Sequence, residues 1–282
     1  MSADRRGEPS VVNASAASAG SAAFRALHRR GRPLLLPCAW DHASAAALAA
    51  HGFPAVGTSS LGVAAAAGLP DATGAARERT LALGRRLARL PVPVSVDVEG
   101  GFSEDPAQVA RFARELAGAG VAGVNLEDGL PGGRLADPVH HAEKIAAVKE
   151  TAPALFVNAR TDTHWLAADP TTAAAARRAR VYREAGADGV FVPGLTDEDG
   201  IRALAGELDA PLNVLYSPGG PTRERLAELG AARISLGSLL FRAALQRAVE
   251  LAASLADPSA PPPPMPTYDE TCALAGHWAG QG

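Results

Sequence analysis

Short apolar runs recur along most of the chain, and longer amphipathic stretches separate them. The runs are rich in Val, Ile, Leu and Phe and are continuous rather than alternating, which is typical of strands buried on both faces. Eight of them predict strands at 34–38, 54–58, 92–97, 121–126, 154–159, 188–193, 211–215 and 233–236.

The stretches between the apolar runs have helical features. Helices are predicted at 105–118, 171–185 and 221–229, and several helical stretches end at a glycine just before the next strand, as in REAGADGVFV. Glycine is favoured there because it readily adopts the left-handed conformation at a helix C-terminus. Eight strands alternating with helices predict an α/β protein with a (β/α)8 TIM-type barrel. No glycine-rich dinucleotide fingerprint follows the first strand, which argues against an open doubly wound sheet.

The two ends of the chain differ from the barrel region in composition. Residues 1–20 are rich in Ala and Ser and are predicted to be disordered. Residues 257–282 begin with a proline-rich stretch that is typical of an extended linker, followed by a short tail. The barrel is therefore assigned to residues 21–256, and its last predicted helix, 238–255, is long and rich in Ala and Leu.

Composition narrows the possible partners. The 282 residues include 27 basic and 30 acidic side chains, for a net charge of −3, so no basic surface for nucleic acid or an anionic membrane is expected. No apolar run approaches the roughly 20 residues that span a bilayer. Only Cys38 and Cys272 are cysteines, which is typical of a reducing compartment. We therefore expect a cytoplasmic protein whose partner is a small molecule.

Acidic side chains gather where the third and fourth predicted strands end. Asp97 and Glu99 follow the third strand in VDVEGG, Glu127 and Asp128 end the fourth in VNLEDG, and Arg160 ends the fifth in NARTD. Strand alternation would direct Asp97 and Glu99 to the same side. The chemistry of a barrel lies at the carboxyl ends of its strands, and carboxylate clusters favour hard cations such as Mg²⁺ or Mn²⁺. The alternative to a role in a site is that such an acid caps a helix or is a solvated loop charge. For Asp128 this alternative and a role in the site are equally well supported.

Five motifs, taken in order, resemble the isocitrate lyase/phosphoenolpyruvate mutase superfamily. They are LPCAWDHASAAALAAHGFPAV, SSLGVAAAAGLPD, VDVEGGF, GVNLED and NARTD, and the likeness covers about residues 23–250. The resemblance implies a barrel enzyme that handles small 2-oxo acids or their enols with Mg²⁺ (or Mn²⁺). It also implies a homodimer or homotetramer in which neighbouring subunits exchange their last helix.

The resemblance further implies the residues of a metal site. Asp97, Glu99 and Glu127 would hold the cation, partly through water, with Asp71 further out. Glu99 stands where the family usually has aspartate, so its side chain is one methylene longer.

The same resemblance implies a substrate site. Backbone amides around three residues of the second-strand loop would bind the substrate carboxylate, namely Ser59, Ser60 and Leu61. Arg160 would contact the carboxylate or the developing charge, together with Asp97 and Glu127 at the metal. Asn213 would touch the substrate, and Trp40 would either wall the pocket or belong to the core.

The loop after Glu127-Asp128 departs from the resembled family. Isocitrate and methylisocitrate lyases have a Lys-(Lys/Arg)-Cys-Gly-His loop there, and the mutase branch has a lysine followed by an Asn-Ser pair. Here the chain has EDGLPGGRLADP, with Gly129 in place of the lysine. A proton donor must therefore come from elsewhere, and His164 is the first candidate because histidine titrates near neutral pH. Tyr216 and Cys38 are the others, and each of the three could instead be a loop, rim or core residue.

Three functional hypotheses follow. The first is a Mg²⁺-dependent carbon–carbon lyase, or the reverse condensation, on a small 2-oxo or 2-hydroxy di- or tricarboxylate through a pyruvate-type enolate. The second is a phosphonate mutase or P–C hydrolase that uses the same enolate chemistry. The third is a 2-oxo acid binding protein without catalysis. The sequence leaves the exact substrate open.

Overall fold

A computed structural model describes residues 11–256 and 265–276 of the chain. Nine strands form one parallel sheet, and two more form a small antiparallel hairpin. The parallel strands are β1 (Leu34–Leu36), β2 (Cys38–Ala39), β3 (Val56–Thr58), β4 (Val94–Asp97), β5 (Gly123–Glu127), β8 (Phe156–Arg160), β9 (Gly189–Val192), β10 (Leu212–Leu215) and β11 (Arg233–Ser235). The hairpin consists of β6 (Gly129–Leu130) and β7 (Arg134–Leu135).

Helices connect the strands of the parallel sheet and pack around it. They are α1 (Val11–Ala26), α2 (His42–Ala50), α3 (Ser60–Ala66), α4 (Arg77–Leu87), α5 (Pro106–Gly118), α6 (Pro138–Thr151), α7 (Thr172–Glu184), α8 (Glu198–Glu207), α9 (Arg223–Glu228), α10 (Leu239–Ala256) and α11 (Tyr268–Gly276). No helix among the described residues has the length and apolar content needed to cross a bilayer.

The barrel closes through a strand that is interrupted at Pro37. The sheet runs in the order β1-β11-β10-β9-β8-β5-β4-β3-β2, so its two edge strands, β1 and β2, are neighbours in the chain. Proline has no N–H to donate to a ladder, but the Pro37 carbonyl accepts a hydrogen bond from Gly57 at 2.8 Å. The first predicted strand therefore supplies both edges, and the predicted (β/α)8 barrel is confirmed.

The N-terminal segment differs from the expectation of disorder through residue 20. Helix α1 begins at Val11, and its residue Phe24 is buried with the Phe156 ring 5.4 Å away. The physical reason is that the alanine-rich composition that suggested disorder also has high helix propensity. Residues 1–10 lie outside the described part of the chain, as does most of the proline-rich stretch. The domain division itself stays a prediction.

The C-terminal helices lie on the outside of the barrel. Helix α10 exposes Leu245, Val249 and Leu255, and α11 packs against α2 with Leu274 against the main core. The predicted exchange of the last helix between subunits stays a prediction.

Buried His141 on α6 makes the stability of the fold pH-dependent. Burial lowers the pKa of His141 to about 4, although Asp128 opposes the shift. The unfolded chain therefore binds a proton at His141 near pH 6.5, whereas the folded chain binds it only near pH 4, so the contribution of His141 to stability falls as the pH falls through that window.

We expect His141→Leu to reduce this acid sensitivity, because leucine has a similar volume and does not titrate. Between pH 6 and 4.5 the slope of the unfolding free energy should become shallower by about 1.4 kcal/mol per pH unit. Urea denaturation at a series of pH values measures the slope. Equal slopes for the two proteins would contradict the assignment of His141 as the group responsible.

Candidate active site

A cavity of about 380 Å³ opens at the carboxyl ends of the barrel strands, and we call it the mouth cavity. Its polar lining comes mainly from the ends of β3, β4, β5 and β8 and the loops that follow them. That lining includes Thr58, Ser59, Ser60, Asp71, Thr73, Asp97, Asn125, Glu127, Arg160 and Asp162. A smaller side chamber of about 260 Å³ shares Glu127 with it and is also lined by Glu99 and Lys144.

The register of three neighbouring strands brings the acidic groups and the arginine together. Asp97 on β4 pairs with Asn125 on β5, and Glu127 on β5 pairs with Arg160 on β8. Beyond the end of β4 the backbone pairing continues irregularly, because the Glu127 amide donates to the Glu99 carbonyl at 3.0 Å. Parallel strands in register place their last residues at one edge, so these side chains meet at the cavity.

Arg160 is held between two carboxylates. Its Nε and Nη2 donate to the two oxygens of Asp162 at 2.6 and 3.1 Å, and its Nη1 lies 2.7 Å from Glu127 Oε2. A guanidinium has five N–H groups, so these contacts leave two for a ligand. The bidentate geometry fixes the plane of the guanidinium at the cavity wall.

Asp128, the residue that follows β5, has a structural role outside the mouth cavity. It is fully buried, and it accepts hydrogen bonds from the Tyr182 hydroxyl at 2.6 Å, from Arg178 at 3.0 Å and from the Asp162 amide at 2.8 Å. Asp128 does not line the mouth cavity. It therefore anchors the segment that carries Asp162, and neither a helix cap nor a solvated loop charge describes it.

Asp97 and Glu99 do not follow the strand alternation that the sequence suggested. The strand ends at Asp97, and Glu99 has a left-handed backbone with a φ of 49°. Asp97 lines the mouth cavity, whereas Glu99 faces the side chamber and accepts a hydrogen bond from the Gly74 amide at 2.9 Å. A non-glycine residue in this region is strained, and such strain is common at functional sites.

The carboxylates of the site are incompletely neutralised by the protein. Burial raises the pKa of Asp97, against the opposing effect of Arg160. Burial likewise raises the pKa of Glu127, again opposed by Arg160, and raises that of Glu99 to about 7 despite the Gly74 hydrogen bond. Neighbouring carboxylates contribute to each of these shifts.

The predicted metal ligands are close together but are not gathered around one point. Within residues 11–256 and 265–276, no three His, Cys, Asp or Glu side chains form a ready metal-binding group. One oxygen of Glu127 contacts Arg160, and one oxygen of Glu99 accepts from Gly74. The other Glu99 oxygen, Oε1, and Asp71 Oδ1 are buried without a hydrogen-bond partner. An all-oxygen donor set with unpaired buried atoms fits a hard divalent cation.

Asn125 presents an amide N–H to the mouth cavity because of a contact with Arg233. Arg233, 1% exposed inside the barrel, donates from Nη2 to Asn125 Oδ1 at 3.1 Å. Asn158 Nδ2 donates to the same oxygen at 2.9 Å. Arginine cannot accept a hydrogen bond, so the oxygen of Asn125 must face Arg233 and its NH₂ group must face away. Since Asn125 lines the cavity, that NH₂ is a donor available to a ligand.

The same arginine orients the asparagine predicted to touch the substrate. Arg233 Nε donates to Ser235 Oγ at 3.0 Å, and Ser235 donates in turn to Asn213 Oδ1 at 3.1 Å. Asn213 is buried one layer below the cavity, and its Nδ2 has no partner. Ser235, rather than Asn213, lines the cavity.

The three residues predicted to bind a carboxylate through backbone amides all line the mouth cavity. The Ser59 amide already donates to the Ala39 carbonyl at 3.0 Å, and the Ser59 side chain caps α3. Ser60 and Leu61 lie in the first turn of α3, where a helix has no intrahelical acceptor for its N–H groups. Their amides are therefore better suited to bind an anion than that of Ser59.

Three other predicted residues lie away from the mouth cavity. Trp40 packs on Phe241, with ring centroids 5.4 Å apart. His164 hydrogen-bonds Thr163 at 3.1 Å, and burial lowers its pKa. Tyr216 packs against the core cluster of β9 to β11.

Cys38, the remaining proton-donor candidate, does line the cavity. Burial raises the pKa of its thiol to about 11, so the thiol is protonated at neutral pH.

Several residues that line the mouth cavity were not predicted from the sequence, among them Asn125, Asp162 and Trp165. Asn125 lies two residues before Glu127, so strand alternation could have assigned it to the same face. Asp162 ends the NARTD motif and was not singled out. Trp165 lines the cavity where its neighbour His164 was expected.

Residues 24–256 match the family described as phosphoenolpyruvate phosphomutase. The chain therefore belongs to this family, within the isocitrate lyase/phosphoenolpyruvate mutase superfamily, and the resemblance seen in the sequence is confirmed.

Three relatives illustrate the range of the family. An uncharacterized protein of Mycobacterium tuberculosis (strain ATCC 25618 / H37Rv) is 43% identical over 234 residues, covering 83% of this chain and 89% of the relative. The 2-methylisocitrate lyase of Bacillus subtilis (strain 168) is 34% identical over 198 residues, covering 67% of this chain and 64% of the lyase. A crystal structure from Burkholderia cenocepacia J2315 with a provisional phosphonomutase name superposes with a TM-score of 0.80 at 39% identity, covering 84% of this chain and 99% of that one.

Gly129 lies so close to the Asp162 carboxylate that position 129 has no room for a side chain. A Cβ atom at Gly129 would lie against Asp162 Oδ2, closer than van der Waals contact allows. Gly129→Ala should therefore displace Asp162 from Arg160 and destabilise the protein by about 1–3 kcal/mol, the usual range for overpacking. Chemical denaturation measures this loss.

Gly118→Ala is a matched control, because a Cβ at Gly118 on α5 meets nothing within 4 Å. The double variant Gly129→Ala/Asp162→Ala isolates the contact, since the clash cannot occur without the carboxylate. If Gly129→Ala is as costly in the Asp162→Ala background as in the wild type, the contact is not the cause.

Proposed function

We propose that this protein is a Mg²⁺- or Mn²⁺-dependent lyase. It cleaves a carbon–carbon bond of a small 2-oxo or 2-hydroxy carboxylate through a pyruvate-type enolate, or catalyses the reverse condensation. The observation that carries the proposal is the placement of Arg160, clamped by Glu127 and Asp162, beside the acidic cluster at the barrel mouth. The 34% identical 2-methylisocitrate lyase supports the same reaction type.

The cation would be held by Asp97, Glu99 and Glu127, with Asp71 further out. These residues supply only oxygen ligands, and two of their oxygens are buried without partners. When bound, Mg²⁺ or Mn²⁺ acts as a Lewis acid that polarises a substrate oxygen.

The residues of the chain would stabilise the charge that develops on the substrate. When the bond breaks, its electrons move toward the keto oxygen and form an enolate. The two unused N–H groups of Arg160 and the amide of Asn125 are donors fixed before the reaction begins. Donors that need no reorganisation contribute most to such stabilisation. The amides of Ser60 and Leu61 would bind the substrate carboxylate.

A phosphonate enzyme is the second candidate, favoured by the provisional phosphonomutase name of the 39% identical protein. Such a substrate carries a phosphonate in addition to its carboxylate. Among the described residues that line the mouth cavity, Arg160 is the only Lys, Arg or His, and it already contacts two carboxylates. The charge of the cavity therefore favours the carbon–carbon lyase.

Assembly and compartment belong to the same proposal. The apolar side chains exposed on α10 support packing against a second copy, as in a homodimer or homotetramer. The use of only two cysteines supports a cytoplasmic location.

Metal binding should be visible as stabilisation. A ligand present at about 100 times its dissociation constant adds roughly 2.7 kcal/mol to the stability of the folded state. We expect Mn²⁺ or Mg²⁺ to raise the melting temperature of the wild type, and Asp97→Asn to abolish that increase. Because Asp97 is a buried acid among other acids, Asp97→Asn should also raise the melting temperature without metal.

The control for this experiment is Asp169→Asn, which changes an exposed acid paired with Arg177. Asp169→Asn should leave the metal-dependent increase unchanged. A full increase that persists in both Asp97→Asn and Glu127→Gln would show that the cation binds elsewhere.

Turnover tests the lyase reaction itself. The protein, with Mg²⁺, is incubated with oxaloacetate, alkylmalates, methylisocitrate and phosphonopyruvate while NMR follows the formation of pyruvate or glyoxylate. On a substrate that is cleaved, Arg160→Ala should lower kcat by about 10²–10³-fold, the usual loss for one donor to a developing oxyanion.

Arg177→Ala is the matched control, because Arg177 is an exposed arginine on α7 outside the cavity lining. Near-normal kcat in Arg160→Ala would refute the role of Arg160. Release of phosphate from phosphonopyruvate without cleavage of any carboxylic acid would favour the phosphonate enzyme instead.

A further inference from the structure

The mouth cavity has two chemically different sides. The side formed at the ends of β3, β4, β5 and β8 and the loops that follow them is polar and carries the acids, including Asp162 beside Arg160. The side formed by the hairpin, residues 165–166 further along the loop after β8, and the ends of β9 and β10 is apolar. Its residues are Leu130, Pro131, Trp165, Leu166, Phe191, Pro193 and Leu215.

The aromatic residues on the apolar side extend from its depth to its rim. Phe191 on β9 is buried, and the Arg160 guanidinium lies 5.7 Å from its ring centroid. Trp165 is 56% exposed at the rim. Its backbone lies close to Gly194, where a Cβ atom would meet the Trp165 nitrogen at 3.0 Å, so the loop that carries Trp165 is held against the end of β9. Phe191 and the loop of Trp165 are therefore held in place, and we call the surface of the apolar side the apolar wall.

The described side chains of the cavity lining offer no free cation to a second substrate anion, since the divalent cation of the proposed function would be held on the polar side. Its described lining contains four carboxylates, those of Asp71, Asp97, Glu127 and Asp162, and one cation, Arg160. Arg160 already contacts two of these carboxylates. An anion placed against the apolar wall would lose its hydration without gaining a partner, which is costly.

From this two-sided cavity we infer that the substrate has one carboxylate and carries an uncharged alkyl or aryl group at its other end. This inference rests on the proposed lyase function and names its substrate class: 4-hydroxy-2-oxo acids with an apolar substituent at C4. The 2-oxo carboxylate lies against the polar side, and the substituent lies against the wall that Phe191 and Trp165 form.

Cleavage of such a substrate balances without any further reactant. The C4 hydroxyl loses its proton and becomes a carbonyl as the C3–C4 bond breaks. The electron pair of that bond forms the C2–C3 enolate, and C3 then takes up a proton to give pyruvate. The proton lost and the proton gained cancel, and no oxidant or reductant is needed. The products are pyruvate and an aldehyde that keeps the apolar group.

A matched pair of substrates tests the inference. 4-Hydroxy-2-oxohexanoate and 4-hydroxy-2-oxoadipate have the same chain length and differ in a terminal methyl or carboxylate group. With Mg²⁺ present, we expect kcat/KM for pyruvate release to be at least tenfold higher for the hexanoate. A preference for the adipate would overturn the inference while leaving the lyase proposal intact.

Binding supplies a readout that does not depend on turnover. 2-Oxohexanoate and 2-oxoadipate form the corresponding pair without the hydroxyl group, and calorimetry in the presence of Mn²⁺ measures their affinities. We expect at least tenfold tighter binding of 2-oxohexanoate. If the hexanoate binds more tightly but neither hydroxy acid is cleaved, the apolar side is supported and the cleavage of 4-hydroxy-2-oxo acids is refuted. Equal or weaker binding of the hexanoate overturns the inference.

A charge placed on the apolar wall should reverse the preference. Trp165→Arg adds a cation at the exposed rim, where a long polar side chain can be accommodated. It should shift the affinity ratio toward 2-oxoadipate by at least tenfold. Val139→Arg, at a 61% exposed position on α6 outside the cavity lining, is the control and should leave the ratio unchanged. An unchanged ratio in Trp165→Arg would show that this wall does not contact the end of the substrate.

Discussion

The pairing of β5 with β8 is the constraint on which the site depends. Its register places Glu127 opposite Arg160, and the Asp128 amide extends the ladder by donating to the Arg160 carbonyl at 3.1 Å. Burying these charges is costly, and removing one partner of a buried pair leaves the other uncompensated. The charges of Arg160, Glu127 and Asp162 therefore depend on one another, and removing any one of them changes the charge balance of the other two.

Alternate residues of β5 serve different parts of the protein. Asn125 and Glu127 point into the barrel, where they meet Arg233 and Arg160. Val124 and Leu126, which alternate with them, are buried in the hydrophobic core. Just past the strand, Asp128 is bound by Tyr182 and Arg178 of α7 and by the Asp162 amide. One strand thus connects the inner polar layer, the acidic cluster and the outer helices, so a shift of register would disrupt all three.

The sequence indicated the eight strands because a strand buried on both faces has a local signature, a continuous apolar run. It did not indicate the break at Pro37, which depends on how the sheet closes. The acids at the strand ends were found locally, but their orientation was not, because the left-handed backbone of Glu99 ends the alternation. Arg233 and Asn125 are 108 residues apart, so only the closed barrel brings them together. Local patterns thus indicated the candidate site, and long-range contacts determine its geometry.

The presence of glycine rather than lysine at position 129 affects the charge balance of the mouth cavity. The resembled lyases and mutases have a lysine at this position, whereas here Asp162 occupies the adjoining space and binds Arg160. The loop therefore supplies no cation at this position, and the Asp162 carboxylate neutralises the one cation of the described cavity lining. The site keeps oriented donors on Arg160 and Asn125. Its chemistry would therefore depend on fixed electrostatics at the strand ends rather than on an acid carried by the loop.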